Sequence, residues 1–245
     1  MKIKDKNKLF SEIIREYEKK FGEKLISICL YGSVVTEDFN PKTSDINLAI
    51  ILEDSKLDTL ISAKNVIKKF QKKRVTVPLF LTKEYIENSL DTFPIEFLNI
   101  KVNHKKIYGE DCFENLKINS EHLRLQAERE LKGKLLLLRL AFLENVGNIK
   151  FMQNLVSTSL LSFIPVMKAI LVIKNESVPS QNIDIIRKIA ELLQIDFSVF
   201  LQALDIKNKK IKMKKQQFVD FFERYIQTID KLSEIVDKLE SIITK

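Results

Sequence analysis

Residues Leu25 to Leu52 read LISICLYGSVVTEDFNPKTSDINLAIIL, and this stretch decides the fold. Leu25 to Tyr31 is a short apolar run closed by turn residues, the pattern of a buried strand. Gly32-Ser33 follows at once. Asp38 to Thr43 is a turn-rich loop carrying Asn40-Pro41. Ile46 to Leu52 is a second buried strand, opened by Ser44-Asp45-Ile46-Asn47. Glycine lets the backbone approach a ligand closely. Ser33 and the amides of the following turn can donate to phosphate oxygens, and Ser44 lies at the far side of the loop. Asp45, at the mouth of the second strand, is placed to hold a divalent cation bridging those phosphates. Asn47 is two residues further, so it emerges on the same face as Asp45. The plainer alternative is a chance Gly-Ser turn followed by a capping aspartate.

Outward from this stretch, Leu9, Phe10, Ile13, Ile14 and Tyr17 form a helical stripe over residues 7–20, ended by Gly22. Residues 56–70 read as helix and Arg74 to Leu81 as a third strand, with Pro78 demanding an edge or a bulge. Lys83 to Leu90 reads as a short helix, and Phe97 to Tyr108 as a fourth strand ending at Gly109. From about Ser120 the period changes to 3.6. Helices are expected at 120–145, 149–174, 181–194, 196–204 and 215–243. The chain is therefore α+β, with a small mixed β-sheet domain over residues 1–117 and an α-helical bundle over 118–245.

The pattern Gly-Ser, a gap, then Ser44-Asp45-Ile46-Asn47-Leu48 resembles the DNA-polymerase-β-like nucleotidyltransferase superfamily. Its signature is Gly-Ser followed by Asp-x-Asp or Asp-x-Glu at a strand edge. Gly32, Ser33 and Asp45 match, and Asn47 stands where the second acid belongs. A sheet followed by a bundle is similar to the kanamycin-type antibiotic nucleotidyltransferases. The resemblance implies a nucleoside triphosphate bound at Gly32, Ser33 and Ser44, with Mg2+ at Asp45 and Asn47. Asparagine offers a carbonyl oxygen but cannot bridge two cations as a carboxylate does, so a weak or incomplete metal site is expected. Many members carry a third acid on a later strand, and Val75-Thr76-Val77-Pro78-Leu79-Phe80 has none. Kanamycin-type enzymes draw a glutamate from the first helix of the second domain, which here holds Glu121, Glu128 and Glu130. Glu128 and Glu130 are the candidate bases beside Asp45. Their plainer reading is i,i+4 pairing with Lys132 and Lys134. Glu96 is a further acid in apolar company.

The remaining features narrow the setting. The 41 basic residues exceed the 33 acidic ones, which favours an anionic partner. Nucleic acid has no motif in its support: the cluster Lys68, Lys69, Lys72, Lys73, Arg74 lacks interleaved aromatics and reads as cations complementing a helix end. Cys29 and Cys112 show no metal or disulfide spacing. His104 and His122 read as surface histidines. Leu155 to Ile173 is apolar, but Lys168, Pro165 and its hydroxyl residues argue for a buried bundle helix and no membrane partner. With no leader at MKIKDKNKLF, a cytoplasmic setting is expected. Transfer of a nucleoside monophosphate from a triphosphate to a small-molecule (or protein or RNA) acceptor, with Mg2+, is the leading expectation. A catalytically impaired homologue serving as a nucleotide-binding or regulatory module is the alternative, favoured by Asn47. An RNA-modifying transferase ranks third.

Overall fold

The computed structural model of the chain describes residues 3–239, in two compact units divided between Ile118 and Asn119. In the first unit, β1 (Leu25–Tyr31), β2 (Asn47–Leu52), β3 (Leu79–Leu81) and β4 (His104–Gly109) form one sheet in the order β3-β2-β1-β4. β1 runs antiparallel to both β2 and β4, whereas β2 and β3 are parallel. The pairing of residues 25–31 with 46–52 is the one that the Gly-Ser and Ser-Asp reading requires.

Both faces of the sheet are covered, which is why β1 and β2 read as continuous apolar runs rather than alternating ones. On one face Ile28, Leu30, Leu48, Ile50 and Leu52 pack with Leu9, Ile13, Tyr17 and Phe21 of α1 (Ile3–Phe21). The same cluster takes in Ala63, between α2 (Leu57–Ser62) and α3 (Lys64–Gln71), and Phe70. On the other face Cys29, Ala49 and Ile51 meet Ile86 of α4 (Lys83–Asn88), Phe97 and Ile100 of α5 (Pro94–Val102), and Phe113. The spacing of four along α1 brings its apolar residues onto one stripe.

Two elements differ from expectation. Phe97 to Val102 is helix, not strand: Pro94 occupies the first helical turn, where its missing N–H costs nothing, and only His104–Gly109 is extended. A short apolar run does not distinguish the two states by itself. The third strand shrinks to Leu79–Leu81, preceded by an isolated parallel bridge of Val75 to Ile46, with Pro78 in the gap.

Glu12 of α1 accepts from both Lys69 and Lys73 and ties α1 to the α3 end. Hydrogen bonds from Lys73 and then Lys69 pull its carboxyl from 4.5 down to about 2. The folded value lies below the unfolded one, so this contribution is complete above pH 4.5 and fades as the pH falls towards 2. Melting curves of wild type and Glu12→Gln should therefore differ at neutral pH and converge in that acid range. Parallel curves throughout would show that Glu12 does not support the fold.

The second unit consists of α6 (Ser120–Glu144), α7 (Ile149–Ile173), α8 (Asn182–Leu193), α9 (Ser198–Lys207) and α10 (Lys215–Asp237). Residues 240–243 of the expected last helix lie outside the described residues. α7 packs against α6, α8 and α9, and α6 against α10. By length and hydropathy α7 could cross a membrane. Phe163, Met167, Ala169, Ile170 and Leu171 along it are nevertheless fully buried.

Candidate functional site

The antiparallel register of β1 and β2 sets Tyr31 opposite Asn47. Gly32-Ser33 therefore leaves β1 where the Asp45–Asn47 segment enters β2. Gly32 has φ +76°, and its amide donates to Asn103 O at 3.0 Å. A Cβ at this position would stand 3.2 Å from Asn47 Nδ2, so glycine suits the left-handed backbone and spares Asn47 a small displacement. The turn that follows, Gly32–Val35, is a single 3₁₀ turn, and Thr36 donates to Ser33 O through both its amide and its hydroxyl.

The loop between the strands is locked around Asn40. Lys42 N donates to Asn40 Oδ1, and the amides of Thr43 and Ser44 donate to Asn40 O. Asn40 N donates to Ser44 Oγ at 3.0 Å. Ser44 thus builds the loop that delivers Asp45. Asp45 itself is exposed, its side chain 58% accessible.

Neither polar side chain at the mouth of β2 stands alone. Arg74 Nε and Nη2 both reach Asp45 Oδ1 at 3.3 Å. The same guanidinium donates from Nη1 to Lys42 O and from Nη2 to Thr43 O. Asn47 Oδ1 accepts from Thr76 Oγ1 at 3.1 Å. Thr76 is held there by its amide bond to Ile46 O at 3.0 Å. Gly32, Asn47, Thr76, Asp45 and Arg74 are thereby brought together.

Arg74 changes its meaning here. In the sequence it is the last member of a basic cluster at a helix end. In the structure Lys69 and Lys73 of that cluster serve Glu12, while Arg74 turns to Asp45. It sits just past α3 with φ +64°, the left-handed position that usually takes glycine. Val75 N bonds back to Phe70 O at 3.2 Å, closing the helix end. A side chain in that conformation costs roughly 1–2 kcal/mol, which the four donated bonds offset. No helix-period or strand-period argument signals this contact, because the partner lies 29 residues away.

His104 also departs from its surface reading. Its side chain is 10% exposed and its Nε2 lies 2.9 Å from Asp111 Oδ1. Burial would raise the Asp111 carboxyl, but the amides of Phe113 and Glu114 and the His104 ring outweigh it and hold it low. This pair fixes the turn after β4. Cys29 is buried, which pushes its thiol up to about 11 and leaves it a core residue.

Glu128 and Glu130 lie on α6 in the second unit. Glu128 is bound by Lys132 at 2.5 Å and Arg124 at 3.2 Å, and the Lys132 contact first of all holds its carboxyl below the usual range. Glu130 is paired with Lys134. Both follow the i,i+4 pattern of a helix surface. Glu96 is exposed in the first turn of α5.

The donor set does not suit a divalent cation as it stands. Asp45 supplies one carboxylate, already neutralised by Arg74, and the Asn47 carbonyl already accepts from Thr76. No group of three or more His, Cys, Asp or Glu side chains with metal-binding geometry occurs among the described residues. Magnesium asks for octahedral oxygens, usually with one or two carboxylates among them.

A mixed sheet with a Gly-Ser turn facing an aspartate across adjacent antiparallel strands defines the nucleotidyltransferase class of domain. Residues 10–107 match the nucleotidyltransferase domain family, and the N-terminal unit belongs to that superfamily. Among solved structures the chain is similar to the spectinomycin adenyltransferase of Enterococcus faecialis, solved with ATP and spectinomycin. That likeness has a TM-score of 0.56 at 14% identity and covers 94% of this chain and 98% of the other. At such identity it concerns the fold. No curated protein sequence matches the chain.

Proposed function

We propose that this protein binds a nucleoside triphosphate at Gly32, Ser33 and Asp45 and transfers its nucleoside monophosphate to a small-molecule acceptor, with pyrophosphate as the leaving group. The observation that carries the reading is the pairing of β1 with β2, which juxtaposes the Gly32-Ser33 turn with the Asp45–Asn47 mouth. Gly32 clears the approach, and the Ser33 hydroxyl, which takes no intramolecular partner among the described residues, is available to a phosphate oxygen. A helical second unit accompanies the domain, and the adenyltransferase that is similar over 94% of this chain was solved with ATP and spectinomycin. The test is mass spectrometry of acceptor panels, aminocyclitols and aminoglycosides first, incubated with each triphosphate and Mg2+ or Mn2+. A product gaining one nucleoside monophosphate, lost in Asp45→Ala, is the expected result. No adduct on any acceptor despite nucleotide binding would favour the second reading.

That second reading is a nucleotide-binding or regulatory module. It is favoured by the Arg74–Asp45 pair and by the neutral Asn47–Thr76 pair. Asn47→Asp installs the second acid that the nucleotidyltransferase resemblance implies. An aspartate there still accepts from Thr76 and adds a charge close to any cation on Asp45, an attraction of about 1–4 kcal/mol at high effective dielectric. Titration calorimetry should show Mg2+-nucleotide binding tightened about fivefold or more by Asn47→Asp. Unchanged or weaker binding would show that this face of β2 is not a metal position.

A further inference from the structure

We propose that Arg74 is a phosphate-binding residue of this site and does the charge-neutralising work otherwise given to a divalent cation, so that triphosphate binding is independent of metal. The inference rests on the nucleotide reading above and goes beyond it in naming the cation. The Asp45 carboxylate faces a guanidinium at 3.3 Å from two of its nitrogens. One negative and one positive charge leave the mouth of β2 neutral, and its other two polar groups, Asn47 and Thr76, are uncharged. A free cation finds no net negative charge to draw it in, whereas a polyphosphate finds none to repel it.

The guanidinium is also held as a built group rather than as a loose surface arginine. The carbonyls of Lys42 and Thr43 fix its Nη1 and Nη2 edges, and the left-handed backbone at Arg74 directs it there. Nη1 retains a second N–H with no partner among the described residues. The side chain remains 44% accessible, so an incoming phosphate can reach it. A planar guanidinium with a spare donor suits phosphate oxygens, and charge-assisted bonds of this kind are strong. The loop carrying Lys42 and Thr43 is the same loop that places Asp45, so Arg74 couples phosphate binding to the position of the one remaining acid.

The experiment is calorimetric titration of the full chain with ATP in excess chelator and again in Mg2+. The wild-type dissociation constant is expected to agree between the two within about threefold. Arg74→Gln should weaken binding in chelator by about tenfold or more, with an unchanged melting temperature confirming the fold. Should Arg74→Gln unfold, Arg74→Lys keeps the charge without the fork and should lose about threefold or more under the same conditions. Wild type that binds ATP only with Mg2+ overturns the inference and leaves the nucleotide reading standing. So does a folded Arg74→Gln, or in its place an Arg74→Lys, that binds in chelator as tightly as wild type. Failure to bind any triphosphate, with or without Mg2+, overturns the nucleotide reading itself and the inference with it.

Discussion

Gly109→Ala is expected to be among the most damaging single substitutions in the N-terminal unit. Gly109 ends β4 opposite Ser27 with φ +69°. A Cβ there would fall 1.9 Å from Ile26 O and 2.9 Å from the Ile26 carbonyl carbon. These are backbone atoms of the central strand, so no rotamer change relieves the clash. The strand must move, and with it the bonds of the buried Ser27 hydroxyl to Glu110 O at 2.6 Å and Tyr108 O at 3.2 Å. Left-handed strain contributes roughly 1–2 kcal/mol, and the total should reach about 3–5 kcal/mol, the range of severe core defects. Urea unfolding followed by circular dichroism measures it. Gly133→Ala is the control, since Gly133 lies within α6 with nothing within 4 Å of the added methyl. It should gain about 0.5–1 kcal/mol by helix propensity. Equal stability of Gly109→Ala and wild type would mean that β1 and β4 are not registered as described. The consequence reaches the site, because Gly32 is anchored by Asn103 O immediately before β4.

Phe163→Ala should have a comparable effect on the helical unit. Phe163 of α7 is fully buried and meets Phe200 of α9 and Tyr225 of α10 edge-on, at ring-centroid distances of 6.1 and 6.4 Å. Removing the ring forfeits its transfer energy and leaves a cavity that three packed helices cannot close, about 3–5 kcal/mol together. Phe163→Leu keeps most of the volume and should cost about half as much or less. The readout is the same unfolding transition. Tyr225 is an additional reporter: its hydroxyl lies 3.0 Å from Ser159 Oγ, and burial drives its ionisation well above the ordinary range. Phe163→Ala should bring that ionisation back towards normal alkaline pH in an absorbance titration. An unchanged melt with unchanged Tyr225 would show that these rings do not hold the bundle together.

Much of the fold was legible because its signals are local. Apolar periodicity marked α1 and the five helices of the second unit to within a few residues at most described ends. The unbroken apolar runs of β1 and β2 marked buried strands, and α1 with α3 on one side and α5 on the other bury them. The segment 97–102 was misread because a short run such as Phe-Leu-Asn-Ile suits either state, and only the packing of Phe97 and Ile100 against Cys29, Ala49 and Ile51 selects helix. His104 was misread for a similar reason: nothing local announces that Asp111 will cover it.

The candidate site divides along the same line. By itself the sequence determined the Gly32-Ser33 turn and the positions of Asp45 and Asn47 at the mouth of the second strand, because these are residue identities at fixed spacing beside runs whose apolar character marks buried strands. Which groups complete the site was decided by tertiary structure alone. Thr76 reaches Asn47 and Arg74 reaches Asp45 only because a left-handed turn after α3 leads the chain into the parallel bridge of Val75 with Ile46. Side chains some thirty positions apart meet through sheet order and backbone handedness, and neither leaves a period in the sequence.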